Sequence, residues 1–526
     1  MPSAWDRRQV AGVLIAALVV TITIGVFTPA LSPEWVNWDD PGMFLENPHY
    51  RGLGPRQLAW MFTSVHMGHY MPLTWLTLGW DYSVWEMSAW GYHLTNVLLH
   101  AGTALLFYFL ALRLLRLALG AAIAGGFSLR LGAAAAALFF AAHPLRAESV
   151  GWITERRDVL SGLFYVGAAL AYVKAVSGGA RRVDLYWTSV ALFVGALLAK
   201  SITATLPVAL LVLDLYPLRR LGGSRGWTRW AVWAEKLPFF ALGLIASALA
   251  FLALVPLGNM RTLSTMSPLL RVVLALYSLA FYVSKTALPL DLSPLYTFPM
   301  LVSYDDFAVA LGGTVLAVIL VRRLPAFSAS WAVYTVTLVP VSGLFHNGPQ
   351  SVADRYSYLA CLPWALWVGA AVAWRPGSAA RARVLTAALR TGVAAVLLGY
   401  GVLAWQQAAI WHDSVALWRH ALAVDPESRN AHAYLGNAYA EAGMVPEAIG
   451  QYEEAAARFH NKPGFYILIA RLLEDEDNDL GALAYYRAIL QAEPGQAEAC
   501  AGVRRLGERI EVPAAAAAGC PSAEAR

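Results

Sequence analysis

Residues 10–31 read "VAGVLIAALVVTITIGVFTPAL", and residues 36–53, close behind, read "VNWDDPGMFLENPHYRGL". The first run is about 20 apolar residues, enough to cross a hydrocarbon core about 30 Å thick as a helix. Arg7 and Arg8 precede it. A secretory signal has a shorter apolar region and a small-residue cleavage site. The run therefore predicts an uncleaved membrane helix with its N-terminus in the cytoplasm. The second stretch then emerges at the outer boundary, where Asp39 and Asp40 stand side by side near Trp35 and Trp38.

Composition carries the reading outward to the whole chain. Of its 526 residues 58% are hydrophobic and 14% charged, and the mean hydropathy is +0.51. A soluble domain carries about 25% charged residues, so the deficit predicts a polytopic membrane protein. The net charge of +5 comes with no basic stripe interleaved with aromatics, which argues against nucleic-acid binding. Cys361, Cys500 and Cys520 are too far apart to suggest a metal motif or a disulfide framework.

Further apolar segments lie near 90–112, 131–143, 158–175, 185–199, 202–216, 237–256, 269–288, 304–321, 327–344, 356–373 and 384–405. Arg and Lys cluster at 113–130, 174–182, 219–229, 322–323 and 375–383, marking cytoplasmic loops. The opposite loops, 32–89, 144–157, the turn at Lys200, 257–268 and 345–355, then face outward. Twelve spans return the C-terminus to the cytoplasm. Segment 269–288, however, carries Arg271, Ser278, Tyr282 and Lys285 on one helical face, a polar stripe suited to an interfacial helix or a cavity wall. With that segment off the count, eleven spans leave the C-terminal part outside.

From about residue 412 the chain is polar and repeats itself. Trp418, Tyr452 and Tyr486 recur every 34 residues, as do Ser414, Ala448 and Ala482, the period of tetratricopeptide repeats. The sequence thus predicts an all-α chain: a polytopic bundle of 11–12 helices over 1–411, a helical solenoid over 412–510 and a disordered tail over 511–526.

Chemistry concentrates in the outward loops. Asp39 and Asp40 form a good turn sequence with Pro41 and Gly42, but two neighbouring carboxylates also make a base and a group that orients it. "HPLRAESVGWITERRDVLSG" gathers His143, Arg146, Glu148, Glu155, Arg156, Arg157 and Asp158. Arg forks there match phosphate oxygens, although snorkelling and salt bridging would use the same residues. Lys200 interrupts an apolar stretch, where an ionisable group is a functional hypothesis by default. Arg355 in "SVADRYSYL" is a further phosphate candidate, and its removal, like that of Lys200, is expected to spare the fold. His69 and Tyr70 close the first outward loop. His93 and His100, seven residues apart with no third ligand, read as core rather than as a metal site. No P-loop, GxGxxG, HExxH or GxSxG context is present.

Taken in order, "NWDDPGMFLENPHYRGL", "PLTWLTLGWDYSVW", "HPLRAESVGWITERRDVLSGLFY", "LLAKSITATLPVALLVLDLYPL" and "ADRYSYLACLPW", followed by the repeats, resemble the GT-C superfamily of glycosyltransferases. More narrowly, the chain resembles bacterial relatives of the transmembrane and tetratricopeptide repeat-containing O-mannosyltransferases. The resemblance implies transfer of a sugar from a polyprenyl phosphate to a protein or glycan acceptor on the outer face of a bacterial inner membrane; the eleven-span count puts the repeat domain on the same, extracytoplasmic side. It implies Asp39 as general base and Asp40 as its partner or a contact to the acceptor or to a metal; a divalent metal is left open. Arg156, Arg157, Lys200 and Arg355 become donor-phosphate contacts, and His69, Tyr70, His143 and Glu148 candidates for acceptor or sugar. Met71 stands where relatives often carry His or Arg. Two other readings compete. A membrane scaffold would recruit envelope partners through the repeats, and needs no convergence of acids and cations. A transporter would place its charges at the bilayer midplane.

Overall fold

The computed structural model describes residues 7–510 and 520, except 33, 121–125, 179–181, 223–225, 256–265, 298–303, 346–349, 376–379 and 460–461. Among the described residues the chain is all-α; the only β-type pairing is an isolated bridge between His66 and His69. It divides into two units, Met1–Trp35 with Asp39–His412, and Val36–Trp38 with Asp413–Arg526.

In the first unit the apolar runs become helices, among them α1 (Arg7–Val26), α2 (Ala89–Leu119), α3 (Phe127–Ala141), α4 (Arg156–Val176), α5 (Arg182–Ala199) and α6 (Pro268–Ala287). Helix starts follow from chemistry in the sequence. Pro268 opens α6, where its missing N–H costs nothing, and the Ser267 side chain accepts from Leu270 N at 3.3 Å. At the other end of α2, Gly120 adopts φ 78°, which ends the helix without a Cβ penalty. The alanine-rich α3 packs on helix Leu362–Ala373 at backbone distance. A Cβ on Gly132 would lie 2.5 Å from Gly369 O, so only glycine admits the contact.

All twelve apolar segments read from the sequence fall on helices. Among the described residues six helices are long and apolar enough to cross a membrane, and up to eight if each of two bent pairs is one span. The pairs are Phe127–Ala141 with Pro144–Gly151 and Asp354–Ala360 with Leu362–Ala373, each bent by 56°. The shortfall from 11–12 has a physical origin: Val10–Val26, Ser201–Leu215 and Pro325–Val341 are apolar but too short to meet the same criterion. Segment 269–288 is one of the six. Its polar stripe is a packing seam rather than an interfacial face. Tyr282 OH donates to Ala353 O and accepts from Ala353 N, both at 3.0 Å, Ser278 reaches Ser342 O at 3.2 Å and Arg271 reaches Leu344 O at 2.9 Å.

In the second unit the helices α7 (Ser414–Val424), α8 (Arg429–Glu441), α9 (Val445–Arg458), α10 (Lys462–Asp475), α11 (Asp479–Ala492) and α12 (Ala497–Arg509) follow one another through short turns. The periodic aromatics Trp418, Tyr452 and Tyr486 are all buried. Gly436 lets the Tyr452 ring approach: a Cβ there would sit 2.6 Å from it. The unit includes Asn37, whose Oδ1 accepts from Trp418 Nε1 at 2.7 Å and whose backbone N–H donates to Ser414 Oγ at 2.9 Å. Cys500 and Cys520 form a disulfide, correcting the sequence reading: their separation of 20 residues is closed by Cα atoms 5.6 Å apart. The rest of the predicted tail, 511–519 and 521–526, lies outside the described residues.

Candidate active site

Asp39 and Asp40 differ in surroundings although they are neighbours. Asp39 O accepts from Met43 N at 2.9 Å, and Pro41 O accepts from Glu46 N at 2.9 Å in the single π-turn over Pro41–Leu45 that follows. Asp40 is buried, and its Oδ1 accepts from Trp152 Nε1 at 3.0 Å and Thr154 Oγ1 at 2.7 Å. Asp40 is thus an anchor that ties the stretch 36–53 to the stretch 144–157. The Asp39 side chain is half-buried, and among the described residues no hydrogen bond reaches its carboxylate. Burial pushes its carboxyl pKa above the ordinary range; the positive charges of Arg157 and Arg355 oppose the rise and the negative charge of Glu155 adds to it.

Glu155 is the hub of the facing cluster. Arg157 forks onto it at 2.7 and 3.2 Å, Lys200 Nζ reaches it at 2.9 Å and Arg355 Nε at 3.3 Å. Lys200 also binds Asp158 Oδ1 at 2.5 Å, and Asp158 takes a second bond from Ser149 at 3.2 Å. Arg355 forms an ion pair with Glu148, donates its backbone N–H to the same carboxylate at 2.8 Å, and lies over the Trp152 ring at 5.5 Å. Three cations therefore converge on one carboxylate, with 10–16% of each side chain still accessible. Lys200 can take part because the chain is extended there (φ −155°, ψ 120°), between α5 and the short helix Ser201–Thr205.

His69 belongs to this group. Its imidazole is half-buried yet closely surrounded by protein. Desolvation, joined by the charges of Arg157, Lys200 and Arg355 and opposed by Glu155, drives its pKa down to about 3. It is a neutral imidazole at ordinary pH. The turn that delivers it passes through Met67 and Gly68, both at positive φ.

Other predicted residues lie elsewhere. Arg156 is completely buried in an ion pair with Asp81 at 2.7 Å, and it bonds Asn96 and Tyr92 O. Successive helical residues point about 100° apart, so Arg156 and Arg157 cannot serve one face. Arg156 corrects the phosphate expectation: it is a core cation. His143 is likewise buried, with Nε2 on Thr286 O at 3.0 Å and Nδ1 accepting from Leu145 N at 3.2 Å, so both ring nitrogens are spent on backbone. Tyr70 OH donates to Phe62 O at 3.1 Å and braces helix Pro55–Thr63. Glu148 is in the cluster, but as the counter-ion of Arg355 rather than as a free acceptor contact. Glu155 and Asp158, which the sequence offered only as members of a charge-dense loop, are central; acids interleaved with arginines in "TERRD" were the available signal. Among the described residues no group of three or more His, Cys, Asp or Glu side chains is placed to hold a metal ion.

Comparison with known proteins gives a consistent set of relatives. The chain is 25% identical to the protein O-mannosyl-transferase Tmtc3 of Drosophila melanogaster over 500 residues, covering 81% of this chain and 53% of the fly protein. It is 37% identical to protein O-mannosyl-transferase tmtc2 of Xenopus laevis over 108 residues, 20% of this chain and 12% of the relative. It is 28% identical to protein O-mannosyl-transferase TMTC1 of Homo sapiens over 235 residues, 40% of this chain and 25% of the relative. The chain therefore spans about half the length of the fly relative and less of the others. No protein-family model matches the chain, and no solved structure matches it.

Proposed function

We propose that the chain is a multi-pass membrane glycosyltransferase that moves a sugar from a polyprenyl-phosphate donor to a protein or glycan hydroxyl on the outer face of a bacterial cytoplasmic membrane. One observation carries the reading: Asp39, a half-buried carboxylate without a hydrogen bond among the described residues, lies within electrostatic reach of Arg157 and Arg355, two of the three cations that meet at Glu155. A scaffold requires no such convergence. The names of the relatives supply the first sugar to try, mannose.

Asp39 takes the proton of the acceptor hydroxyl as its oxygen bonds the anomeric carbon. The bond from that carbon to the phosphate oxygen breaks, and its electron pair leaves with polyprenyl phosphate. Arg157, Lys200 and Arg355 offset the charge that gathers on the departing phosphate. Asp40, fixed by Trp152 and Thr154, holds the loop that presents Asp39. Displacement in one step inverts the anomeric centre. Residues 1–411 are the transferase domain, and the tetratricopeptide repeats over 412–510 receive the acceptor on the extracytoplasmic side. The Cys500–Cys520 disulfide supports that side, since such bonds persist in oxidising compartments.

The test is incubation of purified protein with a panel of polyprenyl-phosphate sugars, polyprenyl phosphate mannose included, in the presence of periplasmic protein. Release of polyprenyl phosphate with label transferred to protein or glycan is the expected outcome. Absence of release across the panel, by protein that is monodisperse, overturns the proposal.

A further inference from the structure

A second feature of the first unit lies at the opposite end of α1 from Asp39. A groove of about 680 Å³ runs between α1, α2 and α3. Gly12, Ala16 and Ala17 form its α1 wall, and Tyr108 and Leu112 its α2 wall. Arg130, one turn inside α3, stands at its end. The volume falls in the range of about 300–1,000 Å³ typical of small-ligand sites. Gly12 lies roughly 21 Å along the helix axis from Val26, the end that leads to Asp39, at 1.5 Å per residue.

Two polar groups in this apolar groove lack partners. Tyr108 is 1% exposed, and its hydroxyl has no hydrogen-bond partner. Arg130 makes no ion pair or hydrogen bond among the described residues, and its Nε lies 3.6 Å from where a Cβ on Gly12 would be. A buried hydroxyl without a partner is unfavourable, and Arg130 has no counter-ion among the described residues, so both groups call for an oxygen-rich anion. The groove walls call for a chain. We propose that it binds one anionic membrane phospholipid, an acyl chain lying along α1 and the phosphate held by the Arg130 guanidinium, with Tyr108 OH donating to a phosphate or ester oxygen. Basic pockets between membrane helices on the cytoplasmic side recognise anionic headgroups by this chemistry. The N-terminus of α1, the C-terminus of α2 and the N-terminus of α3 share that end of the bundle, beside Arg113 and Arg116. The site is independent of glycosyl transfer.

Native mass spectrometry of the detergent-purified full chain tests it, with phosphatidylglycerol, phosphatidylcholine and polyprenyl phosphate added in turn. One retained phosphatidylglycerol per chain, at least tenfold preferred over phosphatidylcholine, is expected. Arg130→Ala should abolish the preference and Tyr108→Phe should reduce it several-fold, while Arg322→Ala, on an exposed loop, leaves it unchanged. Tyr108→Phe keeps the packing, so it decides the matter even where Arg130→Ala fails to fold. Equal retention of the two phospholipids, an unaltered preference in Tyr108→Phe, or displacement of the retained phosphatidylglycerol by polyprenyl phosphate each overturns the proposal.

Discussion

At the scale of single residues, the acid pair divides into a free group and a fixed one. Asp39→Asn keeps the shape and removes the basic lone pair. Sugar transfer should fall by about 10²–10⁴-fold. Thermal stability should stay within about 0.5 kcal/mol. Both are read as polyprenyl phosphate release per monodisperse protein and as the melting midpoint. Because the Asp39 carboxyl titrates above its ordinary 3.8, the base is lost as pH falls through that raised value. The acid limb of kcat/KM should lie above 3.8, and the residual activity of Asp39→Asn should lack it. His69 bears on stability rather than on the base. Its folded pKa of about 3 lies below the ordinary 6.5, so between those values the unfolded chain binds a proton that the folded chain refuses. Stability should therefore rise with pH from about 3 to about 6.5, and His69→Asn should flatten the melting midpoint across that window. The cations separate as well. Lys200→Met leaves Glu155 with two arginines but takes from buried Asp158 its ion pair, and should raise the donor KM about tenfold or more with some loss of stability. Arg355→Ala strands the buried Glu148, contrary to the expectation from sequence that the fold would be spared, and should cost about 3–5 kcal/mol. A chemical melt of Arg355→Ala against the Arg355→Ala, Glu148→Gln pair checks this, the pair being the more stable.

At the scale of elements, the apolar runs made the helices readable, and the 34-residue period located the buried aromatics Trp418, Tyr452 and Tyr486. What each polar side chain touches was not readable. Arg156 and Arg157 look alike in sequence, yet one pairs with Asp81 in the core and the other with Glu155 in the cluster, because α4 turns them apart. The stripe on α6 had the right period and the wrong partner: its acceptors are carbonyls some 60–75 residues away along the chain. Tyr282→Phe removes both bonds to Ala353; Ala353 O keeps its bond from Tyr356 N, and the buried Ala353 N–H is left unsatisfied. It should destabilise the chain by about 1–3 kcal/mol, read as a lowered denaturation midpoint in detergent.

At the scale of the whole molecule, orientation is the property that charge placement along the sequence addresses. With the N-terminus inside and residues 32–89 outside, a count that includes segment 269–288 turns the repeats inward, whereas the Cys500–Cys520 disulfide favours an oxidising compartment and so the outer side, which is the outcome expected. Glu441→Cys on the exposed end of α8 should be labelled by a membrane-impermeant thiol reagent in intact spheroplasts. Native thiols interfere little, since Cys361 is buried and the other two are paired. Protection of that position reverses the orientation.

The two elbows of 56° give the cluster a mechanical character. Glu148 rides on the short arm Pro144–Gly151 and Arg355 on the short arm Asp354–Ala360, so their ion pair rivets one elbow to the other. An eight-residue arm is about 12 Å long, and straightening a bend of this size would swing its tip by roughly 11 Å. A phosphate that drew Arg355 away from Glu148 would pull the rivet, so that arrival of the lipid-borne donor and the stiffness of both elbows would become a single mechanical variable.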